Sequence, residues 1–120
     1  MPTDVELART GRLLVTSLPG GAEDDSLGNN GAVFEVSARG GRSRLIANGF
    51  SGATNLAIGP DGTIFVAELF GGRVSKVLNG RPEQVRTLDS PAALEWCGGK
   101  LLATTNVFVP GGGQIVRFAP

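Results

Sequence analysis

The sequence predicts an all-β chain, and three observations carry that prediction. Its apolar runs are short, four to six residues, rich in Val, Ile, Leu and Phe, and bounded by Gly, Pro, Asn or Asp. No helical period of any length interrupts them. Above all, the chain repeats itself. Three segments can be superposed, beginning Asp4-Val5-Glu6-Leu7, Asn55-Leu56-Ala57-Ile58 and Ala93-Leu94-Glu95-Trp96.

After a glycine (Gly11, Gly62 or Gly99), each segment runs into a second strand: Leu13–Ser17, Ile64–Glu68 and Leu101–Thr105. A third strand follows in each, Gly31–Val36, Gly72–Val77 and Gly113–Phe118. These share a pattern of Gly, any residue, a β-branched residue, any residue, a charged residue, then Val or Phe. From Asn55 to Ala93 is 38 residues, whereas from Asp4 to Asn55 is 51. Most of the difference is an insert between the second and third strands of the first unit. A unit of about 38 residues lies within the range of propeller blades. The expected architecture is a partial β-propeller of about three blades, each an antiparallel four-stranded sheet, the last incomplete. The blades fall at approximately 4–50, 51–90 and 91–120 within one domain.

The individual elements follow. Gly59-Pro60-Asp61-Gly62 is a tight turn between the first two strands of the second unit, because Pro presets φ and Asp-Gly suits the second half of the turn. Arg9-Thr10-Gly11 and Gly98-Gly99 occupy the equivalent corners. Leu78 to Pro82 reads as a turn and Glu83 to Leu88 as a fourth strand, with Ser43 to Ala47 its counterpart in the first unit. Leu13-Leu14-Val15 and Ile64-Phe65-Val66 do not alternate with polar residues. Such strands want both faces buried, which stacked blades provide.

Composition narrows the chemistry. The 120 residues include no His, no Tyr and one Cys, with eleven cationic and eleven anionic side chains. No Ser-His-Asp triad, Cys-His dyad or imidazole zinc site can form, nor any internal disulfide. Zero net charge without a basic run argues against nucleic acid as a partner. No apolar stretch is long enough for a membrane-spanning helix. Met1-Pro2-Thr3-Asp4 does not open a secretory signal.

Thr54 to Glu68, continuing through Leu69-Phe70-Gly71-Gly72-Arg73-Val74, resembles an NHL-type blade. The whole chain is similar to the ScyD/ScyE family, six-bladed propeller-like proteins named from scytonemin-pigment gene clusters. The residues that carry this are Leu14 to Gly21, Ala67 to Gly72 and Ser90 to Trp96. The resemblance implies an exported propeller whose C-terminal portion this chain matches. Two expectations follow: a piece of a longer propeller, or a homodimer in which two sets of three blades close one ring. Either way the flat faces of the end blades are apolar, and no polar cap covers them.

Strand directions alternate within a blade, so the entry to each first strand and the loop between its second and third strands share a face. On that face fall Asp4, Asn55, Ala93, the insert Leu18 to Asn30, the Leu69–Gly71 loop and Val107 to Gly112. The Asn55-Leu56-Ala57 stretch resembles that of gluconolactonase-like and regucalcin-like propellers, where an Asn at this position helps hold a divalent metal. That resemblance implies Asn55 as a ligand for Ca²⁺, Mg²⁺ or Mn²⁺, with Asp4 an oxygen donor by position only. The bland alternative is that both bond to backbone at strand starts. Ala93, the third equivalent, cannot coordinate. Asp25, Asn29, Glu68, Phe70 and Phe108 are the further candidates on the binding face, and the Glu23-Asp24-Asp25 run does not fit an EF-hand because Leu27 falls where a ligand is needed. Trp96 is expected in the core and Cys97 as a buried inert thiol. Gly111-Gly112-Gly113 is no phosphate loop, since no Lys-Ser/Thr follows.

Two functions are compatible with this. One is a non-catalytic binding or scaffold propeller of the ScyD/ScyE type, its partner an unidentified small molecule or protein and its cofactor none. The alternative is a metal-dependent gluconolactonase-like or regucalcin-like hydrolase.

Overall fold

The computed structural model describes residues 1–18 and 30–120. Among these, eleven strands form three antiparallel sheets. The first contains β1 (Pro2–Leu7), β2 (Arg12–Ser17), β3 (Gly31–Ser37) and β4 (Ser43–Phe50) in sequence order. The second contains β5 (Ala53–Ile58), β6 (Ile64–Glu68), β7 (Arg73–Leu78) and β8 (Arg81–Thr87). The third has three strands, β9 (Leu94–Cys97), β10 (Lys100–Thr105) and β11 (Gln114–Phe118). These are three stacked blades of a β-propeller, with the first strands β1, β5 and β9 lying side by side.

The stacking explains the continuous apolar strands. The middle blade is covered on both faces. Toward the first blade it presents Leu56, Ile58, Ile64, Val66 and Val77, which pack with Leu14, Val33, Ala47 and Phe50. Toward the third it presents Ala57, Phe65, Ala67 and Val74, which pack with Leu94, Leu101, Ala103 and Phe118. Period-2 alternation thus sends neighbouring residues of β6 into two different cores. Trp96 is half-buried and stacks on Phe65 of the middle blade, ring centroids 5.9 Å apart.

Turns depart from the expected bounds in two places. β8 begins at Arg81, not Glu83, because Asn79 (φ 52°) and Gly80 (φ 75°) close a two-residue hairpin in which Leu78 pairs with Arg81. Pro82 is tolerated inside β8 because that strand is the edge of its sheet. β4 runs on past Ala47 to Phe50, which is fully buried and pairs with Gly31. Gly59 to Gly62 forms the expected turn: the Gly62 N–H donates to Gly59 O at 3.0 Å and the Thr63 N–H to Asp61 Oδ1 at 3.0 Å. Cys97 is exposed, contrary to expectation, because β9 ends there and runs into the open Gly98-Gly99 corner.

Candidate functional site

Of the loops expected on one face, those after β6 and β10 lie beside strand entries, while residues 19–29 of the insert lie outside the described residues. The Leu69 N–H donates to Gly52 O and the Gly71 N–H to Ser51 O, tying the loop after β6 to the entry of β5. The Asn106 N–H donates to Asp89 O, tying the loop after β10 to the entry of β9.

Asp4 and Asn55 stand at the matching place in two successive blades, and each reaches into the next blade. Asp4 Oδ2 accepts the backbone N–H of Leu56 at 3.0 Å, and Asn55 Oδ1 accepts that of Leu94 at 2.7 Å. The preceding threonines act in parallel: Thr3 Oγ1 donates to Ala53 O and Thr54 Oγ1 to Ala92 O, both at 2.9 Å. The backbone makes this possible. The β1–β2 register shifts between Pro2 and Asp4, and the β5–β6 register between Ala53 and Asn55. A bulge at Thr3 and again at Thr54 re-aims the side chains off the ladder. Each Thr-Asp or Thr-Asn pair is thus a two-point clasp between neighbouring blades. In the third blade the same two positions are Ala92 and Ala93, which have no side-chain donor or acceptor.

Two carboxylates that sequence reasoning passed over share this region. Glu6 on β1 and Glu95 on β9 occupy the same position of the repeat, filled by Ala57 between them. Burial first, then the charges of Glu95 and Asp4, push the Glu6 carboxyl above its ordinary range. Glu6 therefore feels the other two acids across the first strands. The signal was legible: the same acid recurs in the first and third units.

Oxygen donors of this kind suit a hard divalent cation. The arrangement does not complete such a site. Among the described residues no group of three or more Asp, Glu or Cys could hold a metal ion, and Asp4 Oδ2 and Asn55 Oδ1 each already accept a backbone N–H.

The remaining candidates separate. Glu68 is fully buried beneath the loops, where its carboxylate accepts from Arg73 Nε at 2.7 Å, Arg73 Nη2 at 2.9 Å, the Ser51 N–H at 2.8 Å and Ser75 Oγ at 2.5 Å. Phe70 is half-buried and lies over Gly52, with no room between them for a side chain. Phe108 is 61% exposed at the tip of the loop after β10. Asp25 and Asn29 lie outside the described residues.

No family model and no curated protein matches the chain. Solved structures do. The gluconolactonase of Xanthomonas campestris superposes with a TM-score of 0.71 at 20% identity, covering 98% of this chain and 43% of that one. Luciferin-regenerating enzyme gives 0.65 at 15% identity, covering 98% and 42%. A chain of the nidogen/laminin complex gives 0.67 at 16% identity, covering 92% and 44%. The chain therefore has the β-propeller fold and spans a little over two fifths of the length of these structures.

Proposed function

We propose that this chain contributes to a gluconolactonase-like hydrolase, a propeller that opens small lactones at the mouth formed by its first strands. The observation that carries the reading is the set of carboxylates Asp4, Glu6 and Glu95 on those strands, in a fold similar to gluconolactonase and luciferin-regenerating enzyme. Glu6 is the group of interest, because burial and then the Glu95 and Asp4 charges raise its carboxyl above the ordinary range, the direction in which a general acid is tuned. The reading takes no step through a metal held by these three blades.

The test is hydrolysis of glucono-lactone by the purified chain, with and without Ca²⁺ or Mn²⁺, beside Glu6→Gln and Glu95→Gln. A rate above buffer that falls in both variants is expected. A rate equal to buffer under every condition rejects the reading.

A second reading, the non-catalytic binding or scaffold propeller of the ScyD/ScyE type, is favoured by the clasp. Asp4 and Asn55, the positions that resemble ligands elsewhere, are engaged with backbone here. Thermal melting separates the two, since an occupied native site raises the melting point. A rise in millimolar gluconate, the hydrolysis product, that Glu6→Gln abolishes supports the hydrolase class. No rise supports the scaffold.

A further inference from the structure

The interfaces between blades have a direction, and the two end blades carry its two complementary halves. On the middle blade the receiving face is Leu56, Ile58, Ile64, Val66 and Val77. Its repeat equivalents on the third blade, Leu94, Trp96, Leu101, Ala103 and Phe118, pack on the middle blade in the same way. On the first blade the same five positions are Val5, Leu7, Leu13, Val15 and Val36. All five are apolar, yet none is fully buried; Val5 is 56% and Leu7 63% exposed.

The opposite end is equally specific. The first blade offers Glu6, Leu14, Thr16 and Val33 on its side toward the middle blade, where Leu14, Thr16 and Val33 are buried. The third blade carries Glu95, Leu102, Thr104 and Ile115 at the same repeat positions, on its open side. Acid, leucine, threonine and β-branched residue recur in order. Ile115 is nonetheless 75% exposed, where its equivalents Val33 and Val74 are completely buried.

We infer that these two faces pair, and that the occupant is a second copy of this chain: the third blade of each copy docks on the first blade of the other. Two such head-to-tail junctions related by a two-fold axis close a ring of six blades. The side chains of the first three strands at the junction would repeat the contact that those strands already make between the first and middle blades. The junction differs from the internal ones in two respects. Among the described residues the third blade has no fourth strand to supply counterparts of Ala47 and Phe50. Ala92 and Ala93 cannot clasp, so the Val5 N–H meets no side-chain acceptor there. This inference is independent of any hydrolytic activity.

Light scattering over a wide concentration range tests it on the 120-residue chain, with Ile115→Asp and Ala93→Asn beside it. The expected mass is twice 12.3 kDa. Ile115→Asp places a charge in the junction while touching a side chain that is exposed in the single chain. It should give a folded monomer, checked by an unchanged β circular dichroism spectrum. Ala93→Asn supplies the missing acceptor at both junctions and should tighten the dimer about tenfold. A folded monomer at every concentration would mean that another protein, or further blades, covers these faces, and would overturn the inference. So would open-ended oligomers, or a dimer that neither substitution alters.

Discussion

The side-chain oxygen of Asn55 accepts the backbone N–H of Leu94 at 2.7 Å, joining the middle blade to the third. One blade earlier Asp4 does the same to Leu56 at 3.0 Å. Both N–H groups belong to first strands, which are sheet edges, and would otherwise lack a partner. A repeat that buries apolar faces between blades still needs a way to fix how far each blade slides on the next. Hydrogen bonds supply that register, since apolar packing alone is weakly directional.

Asn55→Ala should therefore destabilise the fold by about 1–2 kcal/mol, the cost of leaving a part-buried N–H without its acceptor. Asn55→Asp keeps an acceptor and should lose less. Urea unfolding of the two variants beside the parent measures the difference.

Glu68→Ala should be far more damaging. It strips Arg73, Ser75 and the Ser51 N–H of their common acceptor inside the middle blade. Breaking a buried ion pair by removing one partner costs about 3–5 kcal/mol. Much of the stability of so small a domain is then at stake. The expected result is a chain unfolded, or nearly so, by circular dichroism at room temperature.

Gly52→Ala tests the seat of Phe70. Gly52 has φ +75°, and a Cβ there would lie 2.6 Å from Phe70 Cδ2 and 3.0 Å from its backbone nitrogen. Strain of this kind costs about 1–3 kcal/mol before any clash is counted. Gly11, with a similar φ but open space around it, is the control: Gly11→Ala should cost less, by the same thermal melts.

Glu6 gives the chain a distinctive pH dependence. Its folded-state pKa lies above the ordinary 4.5, because of burial and then the Glu95 and Asp4 charges. Between the two values the folded chain binds more protons than the unfolded one. The contribution to stability is complete below the unfolded value and is lost as pH rises through the folded value. Glu6→Gln should remove that decline and raise the melting point at neutral pH. Equal melting-point profiles for parent and variant between pH 4 and 7 would contradict this.

Much of the fold was legible because the repeat imposes the same chemistry three times. The three third strands could be superposed from Gly31, Gly72 and Gly113 onward, and the continuous apolar run Ile64-Phe65-Val66 pointed to a blade covered on both sides. The strand boundaries were less legible. Pro82 reads locally as a turn residue, and only its place on a sheet edge permits a strand. Asp4 and Asn55 were found by their shared position, but sequence could not say that a bulge turns them toward the neighbouring backbone. Glu6 and Glu95 were missed although they recur at one position of the repeat, because Ala57 fills that position in the unit between them. Their electrostatic relation appears only once β1, β5 and β9 are laid side by side. The exposure of Cys97 depends on where β9 stops, which no local residue dictates.

Amide hydrogen exchange by nuclear magnetic resonance tests the clasp most directly. The Leu56 and Leu94 N–H groups should exchange slowly although they lie on sheet edges, and Asn55→Ala should release Leu94 while leaving Leu56 protected. Rapid exchange at both positions in the parent chain, or a Leu94 amide indifferent to Asn55→Ala, would contradict it.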